Sequence, residues 1–194
     1  MRLEPGFRTD VAVPGGEVEL VANEAHLERV VFGGLLRARA SLDLATADFK
    51  AMFVPDPASG GRGEAVSIVS RLVRLAQCGV EIRLLHAGVP SSAALRELKR
   101  ELPDGLTIRR CPRLHAKVVI IDAAAMYLGS ANLTGAGLGA KSPRRRNFEL
   151  GIWTRSSSLI DGVLAHFNDL WEGRRCGTCG RRDVCPVPLE EPVL

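Results

Sequence analysis

HAKVVIIDAAAMYLGSAN, residues 115–132, is the stretch on which the reading turns. Alternation puts His115 and Lys117 on the same face of a strand. Val118, Val119, Ile120 and Ile121 bury the rest of that strand, Asp122 ends it at a turn, and AMYLGS (125–130) returns beside it. The hairpin carries Gly129, Ser130 and Asn132 back toward His115 and Lys117. An imidazole, an ammonium, a hydroxyl and a carboxamide therefore converge on one spot. Such a spot suits a phosphate diester. Lysine and asparagine donate to the non-bridging oxygens and stabilise charge growing on phosphorus, and a neutral imidazole is a competent nucleophile toward phosphorus. No Asp/Glu cluster suited to a divalent ion accompanies these residues.

Working outward, the chain before this hairpin alternates strand and helix. EVELVA (17–22) reads as a strand, with Asn23 as N-cap for a helix over 25–40. SLDLATADF (41–49) is a buried strand, 52–64 a Pro/Gly loop, 65–78 an amphipathic helix, 80–86 a strand and 91–102 a helix. Strand-like runs then follow closely at 105–111, 113–122 and 125–130. A Gly- and Arg-rich loop (132–146), a strand (147–154) and an amphipathic helix (156–173) complete the pattern. Alternating βα units followed by consecutive strands predict an α/β/α sandwich around a mixed sheet, parallel in its first half and antiparallel later. Residues 1–16 read as an irregular N-terminal segment, 17–173 as the catalytic domain and 174–194 as a short cysteine-containing tail.

The 194 residues fit one domain, and 46% hydrophobic with 25% charged residues excludes a disordered or fibrous chain. No apolar run approaches a membrane span and no apolar leader follows Met1, so the expected setting is the cytoplasm, away from membranes. The net charge of +4 permits an anionic partner. Only Lys50, Lys99, Lys117 and Lys141 are lysines; the other basic residues are arginines, which suit bidentate phosphate contacts. Arg144, Arg145 and Arg146 follow the hairpin closely and are candidate substrate-binding residues, against the bland reading of a solvated face. Aromatic residues are only 5%, which argues against a base-stacking platform.

The spacing H-x-K-x4-D-x6-G-S-x-N, filled by His115, Lys117, Asp122, Gly129, Ser130 and Asn132, resembles the HKD motif of the phospholipase D superfamily. NFELGI (147–152) extends the likeness, with Glu149 matching a carboxylate that follows the motif, and the resemblance spans about residues 17–172. It implies His115 as nucleophile, Lys117 and Asn132 gripping phosphate with Ser130 assisting, Glu149 hydrogen-bonded to the other ring nitrogen of His115, and Asp122 in a structural role. It also implies catalysis without a divalent metal. The other histidines, His26, His86 and His166, are followed two residues on by Glu28, Gly88 and Asn168, so the motif occurs once. A single motif implies a twofold homodimer in which each chain supplies one histidine. Short single-motif relatives include bacterial endonucleases, which points to nucleic acid, DNA ahead of RNA. Alternatives are a lipid diester and a non-catalytic nucleic-acid-binding subunit, with a partner protein in a larger complex.

Cys176, Cys179 and Cys185 form C-x2-C-x5-C, three soft ligands with glycines that let the backbone turn around an ion. Structural zinc is expected ahead of an iron–sulfur cluster, with Cys111 as fourth ligand, or else His166 or a residue of a second chain. Cys78 reads as a buried small apolar residue ending a helix, and Trp153 and Trp171 as core or dimer anchors. TGAGLG (134–139) lets the backbone approach bound phosphate, His86 lies near a strand end of interest, and Asp56 with Gly60–Gly63 forms a candidate channel rim.

Overall fold

The structure is a computed structural model that describes residues 10–13, 16–55, 65–88, 91–100 and 102–185. The candidate rim at Asp56 and Gly60–Gly63 lies outside the described residues.

The strands are β1 (Asp10–Val13), β2 (Gly16–Ala22), β3 (Ser41–Thr46), β4 (Phe53–Pro55), β5 (Ala65–Ser67), β6 (Glu81–His86), β7 (Leu106–Arg110), β8 (Val118–Ile121), β9 (Ala125–Gly129) and β10 (Leu150–Thr154). The α-helices are α1 (Ile68–Gln77), α2 (Ser92–Arg100) and α3 (Ser157–Trp171). Eight strands form one sheet in the order β1-β2-β10-β9-β8-β3-β6-β7. β3, β6 and β7 run parallel, as βα crossovers require, and every other pairing is antiparallel.

Both faces of this sheet are covered, which explains why β8 is apolar at every position. Val119 and Ile121 enter the larger core with Leu42, Leu44, Ile82 and Leu84, under α1 (Leu72, Val73) and α2 (Ala94, Leu98). Val118 and Ile120 enter the second core with Leu85, Met126 and the α3 residues Ile160, Phe167 and Trp171. The result is the expected α/β/α sandwich around a mixed sheet. On the α3 face, Arg83 donates from Nε to Asp43 at 2.5 Å and from Nη1 to Asn168 at 3.0 Å, while its guanidinium lies 5.0 Å from the Phe167 ring centroid. The buried Asp43 is thereby compensated, and α3 is pinned to the sheet. Among the described residues no helix is long and apolar enough to cross a membrane.

Several boundaries differ from expectation, and Cys78, at the end of α1, is exposed rather than buried. Residues 10–13 are not irregular but pair antiparallel with β2 as an edge strand. The helix expected over 25–40 is broken into a π-helical segment (Leu27–Phe32) and a 3-10 turn (Leu35–Arg37). Gly33 and Gly34 interrupt it, and a Cβ on Gly34 would lie 2.6 Å from the Trp153 ring and 2.7 Å from the Val30 carbonyl. Trp153 is therefore a core residue, with Arg29 4.7 Å above its ring. Residues 53–55 and 65–67 pair as a hairpin, so part of the expected loop and the start of the expected α1 are strand. Ser67 then caps α1, accepting from the Val69 N–H at 3.2 Å.

Candidate active site

Strand direction alone gathers the motif. β8 runs antiparallel to β9, and β9 to β10, so the entry to β8, the exit from β9 and the entry to β10 share one sheet edge. The exits of β2, β3 and β6 lie at that edge too. His115 and Lys117 precede β8, Ser130 and Asn132 follow β9, and Glu149 leads into β10. His115 and Lys117 sit in an extended segment ahead of β8, not within it. The ladder to β3 begins at Ala45↔Val118, and beyond it Thr46 turns its hydroxyl to accept from the Leu133 N–H at 2.9 Å. On the other side the Gly129 N–H donates to the Lys117 carbonyl at 3.1 Å, holding the segment in register.

The Lys117 ammonium donates to the His115 carbonyl at 2.7 Å and lies 3.2 Å from Nδ1 and 3.3 Å from Nε2 of the His115 ring. His115 is exposed while Lys117 is buried, so the ring faces solvent over a largely desolvated cation. Burial pushes the Lys117 pKa down, opposed by the Glu149 carboxylate. The Asn132 Oδ1 accepts from the Asp48 N–H at 3.1 Å, which fixes the amide at its oxygen end and turns the NH2 group away from that anchor. Behind it, a Cβ on Gly137 would lie 2.6 Å from the Asn132 carbonyl. Within TGAGLG, Gly137 thus admits the Asn132 backbone.

Glu149 is oriented differently from expectation. One carboxylate oxygen accepts from the Ser130 hydroxyl and the other from Asn147 Nδ2 at 2.9 Å. Both carboxylate oxygens are thus engaged by Ser130 and Asn147 rather than by His115. The Ser130 hydroxyl also accepts from the Leu150 N–H at 3.1 Å, tying β9 to β10. Asp122 lies at the opposite end of β8, with φ of 52°, and accepts from the backbone N–H groups of Arg39 (3.1 Å), Ala40 (2.8 Å) and Ser41 (2.9 Å). Burial alone would raise its pKa, but these three donors together hold it below the usual carboxylate value. It thus ties the Arg39–Ser41 backbone to the turn between β8 and β9, at the end of β8 away from His115.

Three residues behind the site carry it without having been picked out from the sequence as site residues. Asn23, with φ of 50°, exchanges backbone and side-chain bonds with Glu149: its N–H donates to the Glu149 carbonyl at 2.9 Å, and its Oδ1 accepts from the Glu149 N–H at 3.1 Å. The Asn23 carbonyl in turn accepts from His26 Nδ1 at 2.8 Å. His26 Nε2 lies 2.9 Å from the Tyr127 hydroxyl, which accepts from the Ala131 N–H at 3.2 Å. Both side chains are fully buried, and burial pushes Tyr127 up to about 12 and His26 down. One chain of hydrogen bonds thus links the strand bearing Glu149 to the turn between Ser130 and Asn132. His86 sits at the β6 exit but is wholly buried, with Nδ1 2.5 Å from the Gly88 carbonyl, and so belongs to the core.

Arg144 and Arg145 are exposed on the loop after the motif, and Arg146 reaches Glu24 at 3.5 Å. A cavity of about 510 Å³ opens beside His115, lined also by Arg113, Cys111, His166, Arg175, Cys176 and Cys179. Arg113, two residues before His115 in the turn that follows Cys111, was not picked out from the sequence. The expected metal ligands are neighbours rather than a closed set: among the described residues no three His, Cys, Asp or Glu side chains are drawn together tightly enough to hold an ion.

His115, Lys117 and Asn132 thus stand together at one end of a mixed sheet, the arrangement expected of an HKD motif. The sequence matches the family profile of the cardiolipin synthase PLD-like domain over residues 35–171, and the chain belongs to the phospholipase D superfamily. The fold is similar to the phospholipase D family member Nuc from Salmonella typhimurium, with TM-score 0.59 and 20% identity, covering 81% of this chain and 95% of that one. It is similar to NucT from Helicobacter pylori, with TM-score 0.59 and 15% identity over 81% and 96% of the two chains. Phosphatidylserine synthase from Haemophilus influenzae Rd KW20 matches with TM-score 0.51 and 14% identity, over 81% of this chain but 39% of its own. No curated protein matches significantly in sequence.

Proposed function

We propose that the protein is a nuclease that hydrolyses phosphodiester bonds of DNA, or of RNA, through a covalent phosphohistidine on His115, without a catalytic divalent metal. The observation that carries this reading is the Lys117 ammonium held within 3.3 Å of both ring nitrogens of an exposed histidine. A diester entering this spot exchanges the lysine's contact with the ring for one with a non-bridging oxygen. A ring-nitrogen lone pair of His115 then forms the N–P bond as the P–O bond to the leaving group breaks. Lys117 and the NH2 of Asn132 balance the charge on the equatorial oxygens. The leaving oxygen takes a proton from a second imidazolium, the His115 of a twofold mate, because the motif occurs once per chain. That imidazole, now neutral, takes a proton from water; hydroxide attacks phosphorus, the N–P bond breaks, and a phosphomonoester leaves. Glu149 and Ser130 orient the strand ends around His115.

Nucleic acid is favoured by Arg113 and Arg175 in the cavity beside His115 and by exposed Arg144 and Arg145 nearby. The chain is also coextensive in fold with Nuc and NucT, whereas it spans well under half of the lipid-named relative. The test incubates labelled single- and double-stranded DNA and RNA, and phosphatidylglycerol vesicles, without added metal, with wild type beside His115→Ala. Cleavage of nucleic acid that vanishes in the variant supports the proposal. Turnover of the vesicles alone transfers the chemistry to lipid, and undiminished cleavage by His115→Ala refutes the nucleophile. Light scattering should report twice the chain mass, and a strict monomer in turnover would remove the second histidine.

A further inference from the structure

We propose that Cys111, Cys176, Cys179 and Cys185 form a tetrahedral zinc site that fastens the tail against the domain as one wall of the cavity beside His115. The inference is independent of the substrate assigned above. Sequence spacing nominated three of these cysteines; the fold selects the fourth. Cys111 follows β7 and Cys176 follows α3, 65 residues later, yet both pack against the same apolar cluster beneath α3. Cys111, Cys176 and Cys179 all line the cavity beside His115. His166, the other candidate, lines the same cavity but is exposed on α3.

The local backbone has the form a metal knuckle needs. The Cys176 N–H donates to the Gly173 carbonyl at 2.9 Å, and the Cys179 N–H to the Cys176 carbonyl at 3.1 Å, so successive turns fold the C-x2-C segment back on itself. The backbone N–H of Arg181 points at the Cys179 sulfur. A backbone donor to sulfur two residues on stabilises a bound thiolate and sets its direction. A further turn, Val184 N–H to the Arg181 carbonyl at 3.2 Å, returns Cys185 toward the other three.

Zn–S distances of about 2.3 Å bring the four sulfurs closer together than they lie in this structure, where among the described residues no three such side chains form a group that holds an ion. Gly177 and Gly180, which flank Cys179, are in open space, since a Cβ on either would meet no atom within 4 Å. Binding converts four thiols to thiolates and releases four protons to solvent, leaving a centre of charge −2. Arginines surround it for that charge: Arg113 Nη1 lies 3.6 Å from the Cys179 sulfur, Arg181 is near Cys179, and Arg182 is near Cys176. Borderline-soft Zn²⁺, with no geometric preference of its own, suits four thiolates in a structural site. Because Arg113 and Cys179 both line the cavity with His115, the metal would also fix one of the cationic walls along which a phosphate chain approaches.

The experiment measures metal in the full chain purified without chelator, by elemental analysis, with no substrate present. Wild type and His115→Ala should each carry about one zinc per chain, as one closed four-thiolate site requires. Cys111→Ser and Cys179→Ser should each lose most of it, and Cys78→Ser, at the end of α1, should keep it. Replacement with Co²⁺ should give the intense visible absorption of a tetrahedral thiolate site in wild type and Cys78→Ser only. A metal-free wild type that also fails to take up Co²⁺ refutes the site. Full zinc in Cys111→Ser refutes the fourth ligand, and iron with inorganic sulfide refutes the identity of the centre. An inactive chain with stoichiometric zinc would refute the nuclease reading and leave this one standing.

Discussion

Replacing Tyr127 by Phe removes one oxygen from the middle of the hydrogen-bonded chain behind the site. The hydroxyl lies 2.9 Å from His26 Nε2 and 3.2 Å from the Ala131 nitrogen, and neither partner has water within reach because Tyr127 and His26 are both fully buried. With His26 Nδ1 donating to the Asn23 carbonyl, Nε2 is the ring's acceptor, so the phenol donates to His26 and accepts from Ala131. The substitution thus strands one buried acceptor and one buried donor. Each unsatisfied group costs about 1–3 kcal/mol, for a total of roughly 2–6 kcal/mol with no change in apolar packing. Against a domain stability of about 5–15 kcal/mol this is a large fraction. With a urea m-value of about 2 kcal/mol per molar, the midpoint should fall by about 1–3 M. The assay is equilibrium urea unfolding, with His26→Leu and the double variant completing a thermodynamic cycle. A coupling of about 0.5–3 kcal/mol between the two positions is expected for direct partners. A Tyr127→Phe midpoint within about 0.2 M of wild type, corresponding to under about 0.5 kcal/mol, would refute the claim that this hydroxyl ties Ala131 to His26.

The remaining predictions concern the frame and the titrating groups. Gly129→Ala places a Cβ against the Tyr127 hydroxyl and 2.6 Å from the Gly151 Cα, where backbone cannot yield, so it should cost about 1–3 kcal/mol in urea unfolding. Asp122→Ala removes the acceptor for the N–H groups of Arg39, Ala40 and Ser41; solvent access limits the loss to about 1–3 kcal/mol at neutral pH. Since the folded pKa of Asp122 is depressed, its contribution is present above pH 3.8 and lost as pH falls through the folded value, so the wild type and variant curves should converge in acid. His26 and His86 are both depressed by burial below 6.5. Below that pH the unfolded chain binds protons that the folded chain resists, so stability should decline from pH 6.5 downward, and a flat thermal-unfolding profile between pH 7 and pH 5 would contradict their buried neutral state. Lys117→Met should abolish turnover while leaving the urea midpoint at or above that of wild type, because the cation it removes is itself destabilised by burial.

The parts of the fold that were legible share a physical reason. β3 and β6 read as short strands with Leu42 and Leu44, Ile82 and Leu84 in alternation, α1 between them reads as an amphipathic helix, and both signals are local. The segment 25–40 misled because its period is helical up to Phe32, and the tight contact that breaks it is with Trp153, more than a hundred residues away. The edge strand β1 carries no periodic signal of its own and exists because β2 offers it an open ladder. At the site, spacing was enough to bring His115, Lys117, Ser130 and Asn132 to one edge, since antiparallel pairing reverses direction at every turn. It could not tell that Lys117 rests on the His115 ring, or that Glu149 spends its oxygens on Ser130 and Asn147, because rotamers answer to neighbours from other elements.

The same distinction explains why the supporting residues escaped notice. His26 and Tyr127 are 101 positions apart, and in sequence each has an adequate local explanation: a polar residue at a helix start, and an aromatic in an apolar strand. Only the sheet order, which seats β2 beside β10 and β10 beside β9, brings them together. Gly129 and Gly151, directly paired across β9 and β10, are the trace that was available: a ring lying flat over two facing glycines needs both to lack a Cβ. Glycine thus reports on Tyr127, Tyr127 on Ala131, and Ala131 on the turn that presents Ser130 and Asn132. The site's rigidity is set in the core behind it rather than among the residues that meet phosphate. Substitutions at Gly129, Gly151, Tyr127 and His26 should therefore lower kcat well before they change substrate affinity, and a variant of Tyr127 that weakened binding while sparing kcat would contradict that order.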